Sequence, residues 1–406
     1  MKSKKSVFGA NWKIFAGIGA VLLLILIYFT FSDSDFTGSK VKSKKNMMSK
    51  TSDPTKKGTG SDNLGGTEYS EVMEDDGATP EILLDHYKEW AKYPPNSRPL
   101  AIENYDLVYP FKVDNSPTIM FDSPSAKEPN GYRCLMQPRT WAAIGGQEMF
   151  ITLECRDSTS TPVKIQVESY NVFKEWEGKQ YPTHSPDVND DGRDGDDVAK
   201  DNIFTFRWRP MQADWGQMSL ETNILYGRES KKAKVSASFY SSPNKPAQFS
   251  NFFRDMVIDG SLVIKAEIKV VKPGNYHLEA NLKEAEGGNY VAYATYDGQL
   301  KGGTNEVDFL FFGKVLRDKG YDGPYIFTAG RGHRVNLPID PAWFTQGEEG
   351  LRKIQAAKTT EPDRELVVPY TEEYKTKAYT ISSFSKAEWQ SEEKTKRIQE
   401  LQNLNK

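Results

Sequence analysis

The sequence has few cysteines and histidines, the side chains that hold structural zinc ions. It contains two cysteines and four scattered histidines, at His86, His184, His277 and His333. A structural zinc site needs four such ligands at short spacings, so the sequence argues against one. It also lacks a Gly-x-Ser-x-Gly elbow, a Gly-x-x-x-x-Gly-Lys-Ser/Thr loop and a His-Glu-x-x-His motif. These absences predict a protein that is not an enzyme.

The chain also lacks an excess of charge of either sign. Its 53 basic and 56 acidic residues leave a formal net charge of −3, which argues against a nucleic-acid partner. What it has instead is 12% aromatic residues, 31 glycines and 22 prolines. That composition is typical of many short strands separated by turns.

Residues 14–31 (IFAGIGAVLLLILIYFTF) form an uncharged apolar run. At about 1.5 Å per residue the run is about 27 Å long as a helix, close to the thickness of the bilayer core. A cleaved signal peptide is the alternative, but no Ala-x-Ala site follows the run. We therefore expect an uncleaved membrane anchor, with residues 1–13 before it and a flexible Ser/Thr/Gly/Lys-rich tether over 32–78. Lysines on both sides of the run leave its orientation open.

The remainder of the chain predicts an all-β protein built from two tandem Ig-like antiparallel sandwiches with short flanking helices. Thr79-Pro80-Glu81 opens a helix that we expect to pack against the first sandwich, with partner binding as the alternative. Strand patterns without intervening helices fill residues 104–345. The segment 243–255 interrupts them, which divides a first domain (79–245, including the helix) from a second (246–345). A C-terminal extension (346–406) follows, with a last strand near 378–382 and a polar helix opened by a capping box at Ser385.

Cys134 and Cys155 both lie in strand-like sequence, 21 positions apart. The two strands are expected to be neighbours, so the pair is predicted to form a disulfide, with two buried free thiols as the alternative.

One acidic block carries the candidate metal ligands. Seven aspartates fall within residues 187–201, where Asp187, Asn189, Asp191 and Gly192 match the first half of a calcium loop. Position 12 of that loop is Val198, so the bidentate glutamate is missing. A structural calcium ion held by Asp187, Asn189, Asp191, Asp196 and Asp201 is predicted. A solvated acidic loop is the alternative, in which Asp201 braces the following strand.

Two further groups of residues have a weaker chemical signal. His184 with Asp187 and Asp191 is the one arrangement that resembles a hydrolytic metal site, and an exposed bystander histidine is the alternative. The run Arg331-Gly332-His333-Arg334 is interpreted as a basic turn that either holds an anion or packs its arginines on aromatic rings.

The acidic block also resembles a known family. The stretch NDDG followed by GDDVAKDNIFT is similar to the Asp-rich signature of Ig-like modules in bacterial surface proteins of the choice-of-anchor X type. The segments KPGNYHLEANL, VAYATY, FLFFGK and DGPYIF resemble a second Ig-like module of the kind found beside it, so that the resemblance covers about half the chain. It implies a surface Ig-like fold, and hence an N-terminus in the cytoplasm and a periplasmic or extracellular bulk.

These observations predict a single-pass protein of the inner membrane that binds or scaffolds other envelope proteins, within an envelope assembly or an adhesion apparatus. A carbohydrate-binding accessory module is the alternative, and a metal-dependent hydrolase at the acidic block is a further one.

Overall fold

The computed structural model describes residues 80–123, 125–176, 178–336, 343, 346–357 and 362–404. None of the helices within those ranges is long and apolar enough to span a bilayer. The predicted anchor and tether lie outside the described residues. The described region is mostly strand, with antiparallel pairing in all but two short contacts, which confirms the predicted all-β architecture.

The first sandwich packs two five-stranded sheets face to face. One sheet has the order β2-β3-β5-β9-β8 and the other β4-β11-β10-β6-β7. Their strands are β2 (Thr118–Ile119), β3 (Arg133–Pro138), β4 (Ala142–Ile144), β5 (Met149–Arg156), β6 (Ile165–Trp176), β7 (Lys179–Pro182), β8 (Asp187–Asn189), β9 (Phe204–Trp208), β10 (Gly216–Tyr226) and β11 (Lys231–Ser242). Alternate residues of β5 (Met149, Ile151 and Leu153) are fully buried in the core between the sheets, as expected from a period of two.

The second sandwich packs the sheet β12-β13-β16 against the sheet β1-β15-β14-β17-β18, with β19 on β17. Its strands are β1 (Ser97–Pro99), β12 (Ala247–Ile258), β13 (Ser261–Val270), β14 (Gly274–Glu284), β15 (Tyr290–Leu300), β16 (Gly303–Phe311), β17 (Tyr325–Val335), β18 (Arg364–Leu366) and β19 (Tyr374–Lys375). Both sheets contribute to one core that includes Leu278, Phe309 and Phe327.

In the part of the chain that the structure describes, five helices flank the sheets. They are α1 (Pro80–Trp90), α2 (Tyr105–Val108), α3 (Gly313–Lys319), α4 (Gly347–Ala356) and α5 (Glu392–Leu404). Helix α1 packs against α5, with Leu84, Ala91 and Leu401 buried. The sequence analysis predicted that α1 packs against the first sandwich. It did not predict the contact with α5, which lies about 300 residues away in sequence.

Residues 243–246 (PNKP) join the two sandwiches, and hydrogen bonds on both sides hold this junction. Leu366 N donates to Ser242 Oγ (2.9 Å) and Val368 N to Ala247 O (3.2 Å), while the hydroxyl of Tyr240 donates to Arg364 O (3.2 Å). The segment between β1 and β2 also passes from the second sandwich to the first. Its Phe111 stacks on Trp141, with ring centroids 6.1 Å apart. The sandwiches are therefore joined by a bonded junction as well as by the short peptide.

Three sequence predictions differ from the structure around the second sandwich. Residues 247–255, interpreted as an interruption, belong to β12, because a bulge between Phe249 and Phe253 breaks the period while both rings stay in the core. Strand β1 from the predicted first domain pairs with β15, and β18 and β19 from the predicted extension pair with β17. These short strands cover sheet edges that would otherwise expose unpaired backbone groups.

The C-terminal segment differs as well. The expected strand over 378–382 is a 3-10 turn at Ile381–Ser383. The helix begins at Glu392 instead of following Ser385, since the backbone amides of Ser385 and Trp389 are bonded to Gly260 O and Lys92 O. Ser391 takes the capping role and accepts from Lys394 N (3.0 Å).

Candidate functional site

The acidic block folds into a loop between β8 and β9 that is closed by its own hydrogen bonds. Asp196 is 7% exposed and accepts from Gly192 N (2.6 Å) and from Thr205 Oγ1 (3.2 Å). Asp190 Oδ1 accepts from Asp201 N (3.1 Å) across the loop. Buried and crowded carboxylates need such donors. Gly195, at φ +93°, is needed where the loop meets β5, because a Cβ there would lie 2.3 Å from Cε1 of Phe150.

The five predicted calcium ligands occupy different environments. Asp187 and Asn189 lie on β8, with Asp187 exposed. Asp191 accepts from Arg193 N (3.0 Å) and Asp201 from Ile203 N (2.9 Å), so Asp201 braces the start of the next strand, as the alternative interpretation proposed. Within the described ranges, no group of three or more His, Cys, Asp or Glu side chains is arranged to hold a metal ion. Calcium binding stays a prediction.

Two arginines, one on β9 and one just after β3, pair with other carboxylates of the loop. Asp197 pairs with Arg139 (2.9 Å), and Asp194 pairs with Arg207, which also contacts Glu148 (3.2 Å). His184 does not join Asp187 and Asp191. Its ring stacks on Trp208 with centroids 5.5 Å apart, and its Nδ1 lies 3.7 Å from Asp214. The proposed hydrolytic trio is therefore not brought together.

We expect the Asp196→Ala variant to lose about 1–3 kcal/mol of stability with chelator present, because it leaves the amide of Gly192 and the hydroxyl of Thr205 without their acceptor. The matched control Asp187→Ala removes an exposed carboxylate and should change stability by less than about 0.5 kcal/mol. Chemical denaturation of both variants, with calcium and with chelator, measures this. A calcium-dependent loss of similar size in both variants would instead indicate a metal shell.

A second charged cluster lies on the outer face of the sheet that contains β14 and β17. His277 Nδ1 lies 2.7 Å from Asp297 Oδ1 and its Nε2 lies 3.0 Å from Glu279 Oε1. Arg331 Nε reaches the other oxygen of Glu279 (2.7 Å), and its guanidinium lies over the ring of Tyr293. The predicted basic turn is thus part of strand β17, and Arg331 packs on an aromatic ring as one of the two interpretations held.

This arrangement separates the pKa values of two facing histidines. Burial alone lowers the pKa of His277, but its hydrogen bonds to Asp297 and Glu279 outweigh burial and raise it to about 10. Burial opposes ionisation of Glu279 also, yet the charges of His277 and Arg331 lower its pKa to about 2. His333 faces His277 across the strands, and burial together with that charge lowers its pKa to about 4. His277 is therefore a cation at neutral pH and His333 is neutral.

We expect the stability that His277 contributes to fall as pH rises. The pKa of His277 is higher in the folded state than its ordinary value of 6.5, so the contribution is complete below pH 6.5 and is lost between pH 6.5 and about 10. His277→Gln should cost about 2 kcal/mol at pH 6 and much less at pH 10. Urea unfolding at both pH values measures the difference. His86→Gln, an exposed histidine on α1, is the control, and an equal loss at both pH values would contradict the ion-pair role.

A groove of about 400 Å³ lies beside the α1/α5 helix pair. Half of its lining residues are tyrosine or tryptophan (Tyr87, Trp90, Tyr93 and Trp389), and the others are His86, Ala91, Pro95 and Arg98. Trp90 is 68% exposed, and the guanidinium of Arg98 lies 5.5 Å from its ring centroid while donating to Trp90 O (2.6 Å). Exposed tryptophan next to arginine is typical of interaction surfaces. We call this surface the helix-pair groove.

The helix-pair groove was only partly predictable. The sequence analysis left partner binding by α1 open as the alternative to packing. Trp389 is about 300 residues away from Trp90, and no local pattern indicates that the two residues line one groove. A second aromatic cluster, in the first sandwich, pairs Trp176 and Trp215 at 81° with Lys174 Nζ 4.0 Å from the Trp215 centroid. Two rings at right angles do not make the coplanar row that would favour sugar stacking.

No family model and no curated protein matches the chain. Among solved structures it is similar to a DUF4785 family protein from Legionella pneumophila, at 12% identity over 63% of this chain and 57% of that one (TM-score 0.36). It is also similar to the FN1–FN3 domains of chicken CNTN1 (9% identity, 59% and 62% covered, TM-score 0.18) and to a marsupial T cell receptor (11%, 52% and 69%, 0.20).

The chain spans less than two thirds of the length of the Legionella protein. With TM-scores this low, these likenesses carry no functional argument. The resemblance to choice-of-anchor X modules stays a prediction, because no family model matches.

Proposed function

We propose that the protein is a membrane-anchored binding or scaffold protein of the cell envelope, in which two Ig-like sandwiches form a stiff stem and the helix-pair groove contacts another envelope protein. The observation that carries the proposal is Trp90, which is 68% exposed in a groove lined by further aromatic rings. Burying such side chains supplies much of the free energy of many protein interfaces.

Two further observations support this proposal. The bonded junction between the sandwiches favours a stem that holds a contact surface at a set orientation. The disulfide between Cys134 and Cys155 favours an oxidising compartment, since such bonds are rare in the cytosol. Export through the predicted anchor at 14–31, with the N-terminus in the cytoplasm, would place the sandwiches in the periplasm or outside the cell.

Site-specific photo-crosslinking in the native envelope tests this function. We expect a photoreactive phenylalanine analogue at Trp90 to give a discrete protein adduct, because the groove would be covered by its partner. The same analogue at Val271, which is 73% exposed on the second sandwich, is the control and should give none. Adducts of equal pattern at both positions, or at neither, would contradict a partner site in the groove. An adduct sensitive to glycosidase would favour the carbohydrate-binding alternative.

A further inference from the structure

Three side chains from three separate segments meet at Glu365, on β18. The carboxylate of Glu365 is buried, with only 2% of the side chain exposed. Its Oε1 accepts from Lys272 Nζ (2.6 Å) and from Asn244 Nδ2 (2.8 Å), and its Oε2 accepts from Arg334 Nη1 (3.0 Å). Asn244 belongs to the 243–246 linker, whereas the other three residues belong to the second sandwich. We call this group the Glu365 cluster.

The Glu365 cluster brings an amine and a carboxamide to the same carboxylate oxygen. A lysine amine is a nucleophile once it has lost a proton, and an asparagine side chain is an acyl group whose leaving group is ammonia. A buried carboxylate that touches both nitrogens can take a proton from the first and deliver it to the second. These are the three groups that an amide-forming reaction between side chains requires.

The backbone holds the reacting groups close together. The amides of Val271 and Lys272 both donate to Pro246 O, two residues from Asn244 (2.8 and 3.0 Å). The hydroxyl of Tyr276 bonds both Pro246 O and Lys272 O, which ties the linker to the turn that carries the lysine. Such fixed proximity replaces a bimolecular encounter and lowers the barrier to attack.

Arg334 acts through Glu365. Its Nε donates to Pro273 O (3.1 Å) and its Nη1 holds Oε2 of Glu365, so that Oε1 is directed to the two nitrogens. Arg334 is therefore a positioning residue, while Glu365 touches both nitrogens of the reaction.

We propose that the Glu365 cluster is a self-modification site that forms an amide bond between the side chains of Lys272 and Asn244. The ammonium of Lys272 passes a proton to Glu365, and the freed lone pair on Nζ attacks Cγ of Asn244. The new C–N bond forms and the bond from Cγ to Nδ2 breaks. Nδ2, which already carries two hydrogens, takes the proton held by Glu365 and one more from Nζ, and leaves as ammonium. Glu365 returns to its carboxylate, and no oxidant or cofactor is consumed.

The product would be a covalent tie between the linker and the second sandwich. The hydrogen bonds of the junction open and close individually, whereas an amide bond holds under load. This chemistry suits a stem that transmits force between a membrane and a bound partner, and it is independent of what the helix-pair groove binds.

Intact-mass spectrometry of the folded, full-length protein tests the proposal. Each chain should be lighter than its sequence mass by one ammonia, about 17 Da. Proteolysis should give a branched peptide that joins Lys272 to Asn244. Lys272→Arg keeps the positive charge beside Glu365 but removes the reactive amine, so it should fold and show the full mass. Glu365→Gln, if folded, should also keep the full mass.

Lys265→Arg is the matched control. Lys265 pairs with two carboxylates, Glu306 and Asp308, and lies outside the Glu365 cluster, so its variant should keep the loss of about 17 Da. A wild-type chain that retains its full sequence mass after prolonged incubation in the folded state would overturn the proposal. A loss of ammonia that persists in Lys272→Arg would place the reaction elsewhere and overturn it equally.

Discussion

Replacing Glu365 with alanine is expected to destabilise the protein by about 3–5 kcal/mol, because it leaves two buried or half-buried cations and one amide without their shared acceptor. The loss should appear in urea unfolding as a lower midpoint. The second sandwich and the junction should be affected together, since Asn244 lies in the linker.

The matched control for this variant is Glu373→Ala. Glu373 pairs with Lys283, but its side chain is 49% exposed, so its removal should cost about 0–1 kcal/mol. Lys272→Arg separates the ionic role of the cluster from the proposed amide bond, since it keeps a cation beside Glu365. Equal small losses for Glu365→Ala and Glu373→Ala would show that the cluster does not hold the junction.

Removing the disulfide between Cys134 and Cys155 is expected to cost about 3 kcal/mol, as the chain-entropy model gives for a closed loop of this length. The two cysteines face each other on β3 and β5, and both are buried in the core of the first sandwich. We expect the Cys134→Ala/Cys155→Ala double variant to melt at a lower temperature, measured by differential scanning calorimetry.

The control for the disulfide is the wild-type protein with reductant, which should melt close to the double variant. The double variant itself should be insensitive to reductant. Two titratable thiols per native chain, after purification with an alkylating agent, would contradict the cross-link.

The sequence predicted the sandwich strands where side chains alternate between core and solvent. Residues 149–153 were predicted as a strand and form part of β5, because every second residue enters the core. Residues 290–296 were predicted likewise and lie in β15, although the adjacent Val291 and Ala292 are both buried there. It failed at β12, where the bulge before Phe253 shifts the period. It also failed at α5, where Ser385 resembles a cap but its backbone is bonded to Gly260.

The candidate sites divide in the same way. The acidic loop was visible because its aspartates are adjacent in sequence, and its glycines indicated tight turns. The sequence did not show which carboxylate is buried. Asp196 accepts a hydrogen bond from Thr205 of the following strand, and Asp194 forms an ion pair with Arg207. The sequence analysis missed the charged cluster around His277. Asp297, which pairs with His277, and Arg331, which pairs with Glu279, lie on two other strands.

By itself, the sequence determined the all-β class and the position of the acidic loop, and it predicted the disulfide between its two cysteines. Each of these depends on residues close in the chain or on a small number of alternatives. Only the tertiary structure decided that β18 delivers Glu365 to Lys272, Asn244 and Arg334, and that Trp389 faces the groove beside Trp90. Those contacts join segments about 30 to 300 residues apart. Their energies arise from burial and hydrogen bonding between elements, which local propensity does not encode.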